Sequence, residues 1–232
     1  MKILAIDTST TVASVAVCDD EKILGEINLD YKQNHSVTIM PMIDSLLKMV
    51  DIDIQDIDYF AICKGPGSFT GLRIGASTIK AMAHSLNKKI IPISTLEVMA
   101  YNITHTDKCI VPIIDAKAQR IFTAIYENKN NNLVNILEEE AMTILELLDF
   151  IKQNDIDPIF LGDGANAYKD IILKYFDKSC FAPIHLNKQK ASSLLALAIQ
   201  YEKQGKYTDY NGLEIEYIRK PQAERELEER EH

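Results

Sequence analysis

Two apolar runs, ILAI at residues 3–6 and CIVPII at 109–114, each stop at an aspartate, Asp7 and Asp115, and the same order of elements follows both. After Asp7 come the turn residues Thr8, Ser9, Thr10 and Thr11, then an alternating strand over 12–18 and another over 22–29. From Ser36 the apolar period becomes helical, with Ile39, Met42, Ile43, Leu46, Leu47 and Val50 on one face. Pro41 fits such a helix only near its first turn or at a kink. A strand over 59–63 enters the loop KGPGSFTGLRIG, residues 64–75, and a helix over 68–86, a strand over 90–93 and a helix from 94 follow. The second half predicts strands over 120–126 and 133–137, a helix over 143–153, and a strand over 159–161 running into Gly162-Asp163-Gly164. A helix, a strand over 181–186 and a last helix over 191–204 complete it.

A chain that repeats this order builds the same layer twice. The predicted fold class is α/β, a duplicated ribonuclease-H-like fold of two βββαβαβα units, the architecture of actin-like ATPases and sugar kinases. The units are residues 1–104 and 105–222, the last helix being free to pack back on the first unit, and 223–232 form a charged tail. In that fold a nucleotide usually occupies the cleft between the units, but the fold alone assigns no function.

The chain is 47% hydrophobic and 25% charged over 232 residues, enough for one large core or two small ones. No run approaches the ~18 apolar residues of a spanning helix, and the first residues lack the long apolar core of a signal peptide. Cys18, Cys63, Cys109 and Cys180 form no CxxC pair and read as buried reduced thiols. These features predict a cytoplasmic protein without a membrane partner. The formal charge of −9 argues against a chain that grips nucleic acid alone, because only Lys88–Lys89 and Lys188–Lys190 cluster.

Asp7, Thr8 and Ser9 read in two ways, as a phosphate or Mg²⁺ site or as a turn stabilised by its own hydroxyls. Asp115 has the same two readings, with Lys117 and Arg120 nearby as anion partners. Gly162 and Gly164 open a helix, which suits an anion and equally suits a tight strand-to-helix turn. On the first of these readings Asp7, Thr8, Ser9, Asp115, Gly162 and Gly164 outline a vestigial nucleotide cleft. His35, His84, His105 and His185 are isolated, with no HxxxH, HExxH or Cys/His cluster, so no metal site is predicted. Neither GxSxG nor the GK[ST] phosphate loop is present, and no catalytic residue is assigned.

In the loop, Gly65 and Gly67 bracket Pro66 as a stiff turn, and Ser68 or Thr70 caps the next helix. Gly71 and Gly75 share a helical face, and Leu72, Ile79, Met82, Ala83 and Leu86 form an ordinary core face. The bare glycine face suits close packing either within its own domain or against an external helix, and the core face already present on this helix favours the external partner.

GPGSFTGLRIG, with the opening MKILAIDTST and the HS…P helix, resembles the TsaB (YeaZ) family. That family serves the synthesis of N6-threonylcarbamoyladenosine in tRNA. DAK at 115–117, GDGA at 162–165 and YIRKPQAE at 217–224 extend the resemblance. It implies a non-catalytic, activating subunit of a tRNA threonylcarbamoyltransferase complex, since the catalytic paralogue TsaD carries an HxxxH and Ile39 stands where its second histidine would be. The implied partners are TsaD and the ATPase TsaE, with tRNA held by the assembled complex, a homodimer in isolation, and ATP at the subunit junction rather than as an intrinsic cofactor. The implied interface is His35, Ser36, Ile39, Met42 and Ile43 of the first helix with Gly65, Pro66, Gly67, Ser68, Phe69, Thr70, Gly71, Leu72, Arg73 and Gly75 of the loop and second helix. Lys117 and Arg120 depart from the family pattern, and no anion-binding role is carried onto Lys117. The alternatives are an autonomous ATP-dependent kinase, which Asp7 and Asp115 would serve, and a peptidase, for which the sequence offers neither triad nor metal ligands.

Overall fold

The computed structural model describes residues 1–31, 34–129 and 132–218; the predicted tail at 223–232 and the motif residues 219–224 lie outside them. In the first unit β1 (Lys2–Asp7), β2 (Ala13–Asp19) and β3 (Lys22–Leu29) form an antiparallel meander. Then come α1 (His35–Met49), β4 (Tyr59–Gly65), α2 (Phe69–Leu86), β5 (Lys89–Ser94) and α3 (Thr95–Ala100). The sheet order is β3-β2-β1-β4-β5, with β4 parallel to both β1 and β5. β1 is inaccessible on both faces from Ile3 to Asp7, as expected of a central strand.

The second unit repeats the meander with β6 (Cys109–Asp115), β7 (Arg120–Lys129) and β8 (Asn132–Thr143), followed by α4 (Ile144–Gln153) and β9 (Pro158–Leu161). Its order is β8-β7-β6-β9. β8 runs past the expected end at 137 because, beyond an irregularity at 138–139, residues 140–143 pair with β7 as far as Arg120↔Thr143. Thr143 and Glu146 then close a capping box that starts α4.

The expected strand over 181–186 is replaced by short 3-10 turns at Lys178–Cys180 and Ile184–Leu186. One bridge remains, Phe160↔Phe181, with the Ala182 amide donating to the Phe160 carbonyl at 2.9 Å. Pro183 follows directly and has no N–H to continue a ladder. The helix expected after Gly164 is broken into α5 (Asp163–Ala167) and α6 (Lys169–Ile172).

The last helix, α7 (Ala191–Lys203), packs on the first sheet. Its Ala191, Leu194, Leu195 and Ala198 share a core with Ile3, Ala5, Ile91 and Ile93, while α1 and α2 cover the opposite face. α3 joins the units, with Leu96, Met99 and Ala100 against Ile110, Ile114 and Phe122 of the second sheet. Residues 208–218 then return over the first unit as a strap: Thr208 pairs with Ile90, Leu213 enters the α1–α2 core, and the Glu216 amide donates to the Lys64 carbonyl at 2.9 Å.

Candidate functional site

β1, β4 and β5 run parallel and end side by side, at Asp7, Lys64–Gly65 and Ser94. In an open α/β sheet the crevice beyond such ends is where ligands bind. Here the position over Asp7 is filled by the chain itself. The Ser68 amide donates to the Ser9 carbonyl at 2.6 Å, and the Thr8 hydroxyl donates to the Gly71 carbonyl at 2.7 Å. A Cβ at Gly67 would collide with the Ser9 carbonyl, one at Gly71 with the Thr8 carbonyl, and one at Gly75 with the Thr8 hydroxyl. The glycines therefore let the first turns of α2 lie directly on the turn after β1. Ser68 caps α2, accepting from the Gly71 amide at 3.3 Å.

Asp7 is wholly buried beneath this plug. Its Oδ1 accepts from the Ser9 amide at 2.8 Å and the Ser9 hydroxyl at 2.6 Å. Burial pushes its carboxyl above the ordinary aspartate range, against the lowering effect of the Ser9 donors and the Cys63 thiol. Burial and the neighbouring Asp7 carboxylate push the Cys63 thiol well above its usual value, so Cys63 is an un-ionised, packed thiol rather than a nucleophile.

The second unit uses its glycines in the same way. A Cβ at Gly162 would collide with the Ile113 carbonyl, and one at Gly164 with the Ile113 side chain. Asp115 stays closer to the surface: its Oδ1 accepts the Lys117 amide at 3.0 Å and its Oδ2 the Lys117 ammonium at 2.7 Å. Lys117, Ala118 and Gln119 all adopt left-handed backbone conformations, which aim this turn at the other unit. Asp163 Oδ1 accepts the Asp115 amide at 3.2 Å. Between the units lies a cleft of 370 Å³, walled by Thr10, Thr11 and Phe69 on one side and Asp115, Lys117 and Asp163 on the other. Thr8 does not line it, and Asp7 is sealed off. Of the six predicted cleft residues only Ser9 and Asp115 line it; Gly162 and Gly164 are buried against Ile113. Among the described residues no group of three His, Cys, Asp or Glu side chains is arranged to hold a metal ion.

The predicted interface is divided too. Ile39, Met42, Ile43, Gly65, Pro66, Gly71, Leu72 and Gly75 are buried within the chain, so the glycine face packs internally and not against an external helix. His35 is half-buried, its ring bonded to the Thr10 carbonyl at 2.8 Å. Gly67 and Phe69 are half-buried, and only Ser36, Ser68, Thr70 and Arg73 of the predicted set are exposed. The outward face of α1 instead carries Val37 and Met40, which are 66% and 49% exposed, with Pro41 on the same side, while the exposed Met49 ends the helix half a turn round from Met40. Tyr217, from the strap, was missed as a wall residue: its ring lies 5.1 Å from that of Phe69, and its hydroxyl accepts from Arg73 at 3.2 Å. Its only signal in sequence was its place at the head of the YIRKPQAE motif.

A family model described as TsaD, tRNA N6-adenosine threonylcarbamoyltransferase, matches residues 22–227. The tRNA threonylcarbamoyladenosine biosynthesis protein TsaB of Bacillus subtilis is 34% identical, over 97% of this chain and 96% of its own. The chain belongs to the TsaB family. The TsaB protein of Escherichia coli is 28% identical over 98% of each chain. The solved structure of YeaZ from Pseudomonas aeruginosa superposes with a TM-score of 0.75 at 20% identity, covering 93% of this chain and 99% of that one, which shows the shared fold. That fold is the duplicated ribonuclease-H-like, actin-like architecture expected for a TsaB-family chain.

Proposed function

We propose that this chain is a non-catalytic, activating subunit in the synthesis of N6-threonylcarbamoyladenosine on tRNA, and that it works by binding a TsaD catalytic subunit. The observation that carries the reading is the plug over Asp7, because a carboxylate under the chain's own helix cannot reach a phosphate or its metal. Family membership supplies the pathway. The partner surface is the outward face of α1 at its first turns, with Val37, Met40 and Pro41, continued by Thr70 and Arg73 of α2, since both helices cover one face of the first sheet. An exposed apolar stripe on a surface helix fits a partner helix. The same face serves a homodimer when TsaD is absent. ATP and the ATPase TsaE join at the junction with TsaD, and tRNA is held by the assembly, in keeping with the charge of −9. The complex works in the cytoplasm; no helix among the described residues is long and apolar enough to cross a membrane.

The test is co-expression with the TsaD protein of the same organism and size-exclusion chromatography of the product. A stoichiometric complex is expected, and Val37→Asp with Met40→Asp should weaken it at least tenfold by placing unpaired charge in a desolvated contact. A complex indifferent to both changes removes this interface. ATP turnover by the purified chain alone, lost in Asp7→Asn, which keeps an acceptor for the Ser9 donors, would instead support an autonomous kinase.

A further inference from the structure

We propose that the cleft between the two units binds a small organic cation, a guanidinium or primary amine on an apolar stem. The cleft encloses 370 Å³, room for such a molecule, and two kinds of side chain line it. Aromatic rings come from both sides, Phe69 and Tyr217 from α2 and the strap and Phe122 from β7. Carboxyl groups do too, Asp115 and Asp163 from β6 and α5 and Glu216 from the strap.

Two of these carboxylates already have cations. Asp115 holds Lys117 at 2.7 Å, and Glu216 pairs with Lys64. Asp163 has no ion-pair partner among the described residues; it is held by the main-chain amides of Asp115 and Gly164. Lys117 acts on it electrostatically but is bonded to Asp115. Half-buried beside a second carboxylate, Asp163 is pushed above the ordinary aspartate range, chiefly by burial. A cation entering the cleft would answer that deficit, while its stem or planar face would lie on the aromatic rings.

A phosphate would meet the opposite environment. It would face three carboxyl groups against one ammonium, Lys117, which Asp115 already holds, and the amides of Ser68 and Gly71 at the start of α2 are committed to the Ser9 carbonyl and the Ser68 hydroxyl. The walls come from α2, β6, β7, α5 and the strap, so an occupant would touch both units at once. This site goes beyond the subunit role and does not depend on it.

Isothermal titration of the full chain with agmatine, and separately with MgADP, tests the proposal. Agmatine is expected to saturate one site and to shift the backbone amide resonances of residues 115–117 and 162–164, while MgADP shifts none of them. Asp163→Asn keeps an Oδ1 acceptor for the Asp115 amide but removes the charge, and should weaken agmatine about tenfold. If that variant does not fold, Tyr217→Leu supplies the comparison, removing one of the aromatic rings and weakening binding severalfold. Absence of agmatine binding at millimolar concentration, unchanged affinity in the folded variant, or displacement of agmatine by MgADP would each overturn the assignment.

Discussion

Gly71→Ala is expected to destabilise the folded chain by about 3 kcal/mol, since the new methyl group has nowhere to go. Its Cβ would overlap the Thr8 carbonyl, which is backbone and cannot swing aside as a flexible side chain could. Relief requires α2 to lift from the turn after β1. That movement stretches the bond from the Thr8 hydroxyl to the Gly71 carbonyl, and it disturbs the Ser68 amide that caps the Ser9 carbonyl. The Thr8 hydroxyl and the Ser9 carbonyl belong to buried residues, so leaving either unpaired adds about 1–3 kcal/mol of desolvation cost. Thermal denaturation should show Tm lowered by about 6–12 °C for a domain of this size. Ser77→Ala, on the exposed side of the same helix, is the control and should stay within about 0.5 kcal/mol of the parent. An unchanged melt for Gly71→Ala would mean that α2 does not rest on the turn.

The same contact shows how far the sequence could be read. Periodicity located the strands and helices of the first unit and most of the second, the strand over 181–186 and an unbroken helix after Gly164 excepted, because a strand that ends at an acid and a helix with one apolar face each have a plain pattern. It also grouped Gly71 with Gly75 correctly. What a helical face touches is a tertiary fact, however, and bare glycines suit a neighbouring backbone of the same chain as well as an outside helix. On α1 the apolar positions Ile39, Met42 and Ile43 recur because they make the core, whereas the exposed Val37 and Met40 break the binary pattern and only coordinates mark them as exposed. The crossing of α7 to the first sheet leaves no local trace, since its apolar face would serve either sheet. Pro183 was visible in the expected strand, and its missing N–H was the reason to doubt it.

Asp7→Asn is expected to stabilise the chain at neutral pH, on the order of 1 kcal/mol, which is the reverse of what a working active-site acid would show. The side-chain oxygen of asparagine can still accept both Ser9 donors, preserving the turn. Asp7 Oδ2, by contrast, is buried with no hydrogen-bond partner meeting full geometry, and beyond the Ser9 donors the Cys63 thiol and, at longer range, His35 favour its charge without offsetting burial. An amide nitrogen there carries no charge to desolvate and can donate toward the Cys63 sulfur. The pH dependence fixes the sign. The folded carboxyl titrates above its unfolded value, so its contribution to stability is complete below the unfolded pKa and is lost as pH rises through the raised folded pKa. Urea denaturation across pH should therefore give matching curves for the two proteins at the acidic end. The asparagine variant should pull ahead as pH climbs through and beyond the ordinary carboxylate range, then hold a constant lead. Asp7→Ala separates charge from hydrogen bonding: it leaves the Ser9 amide and hydroxyl unpaired in the core and should cost about 2–4 kcal/mol at every pH. A stabilised Asp7→Asn that still supports threonylcarbamoyl transfer with TsaD would show that this carboxylate is retained for neither metal nor phosphate. Loss of transfer in a variant that is folded and complexed would return Asp7 to the chemistry.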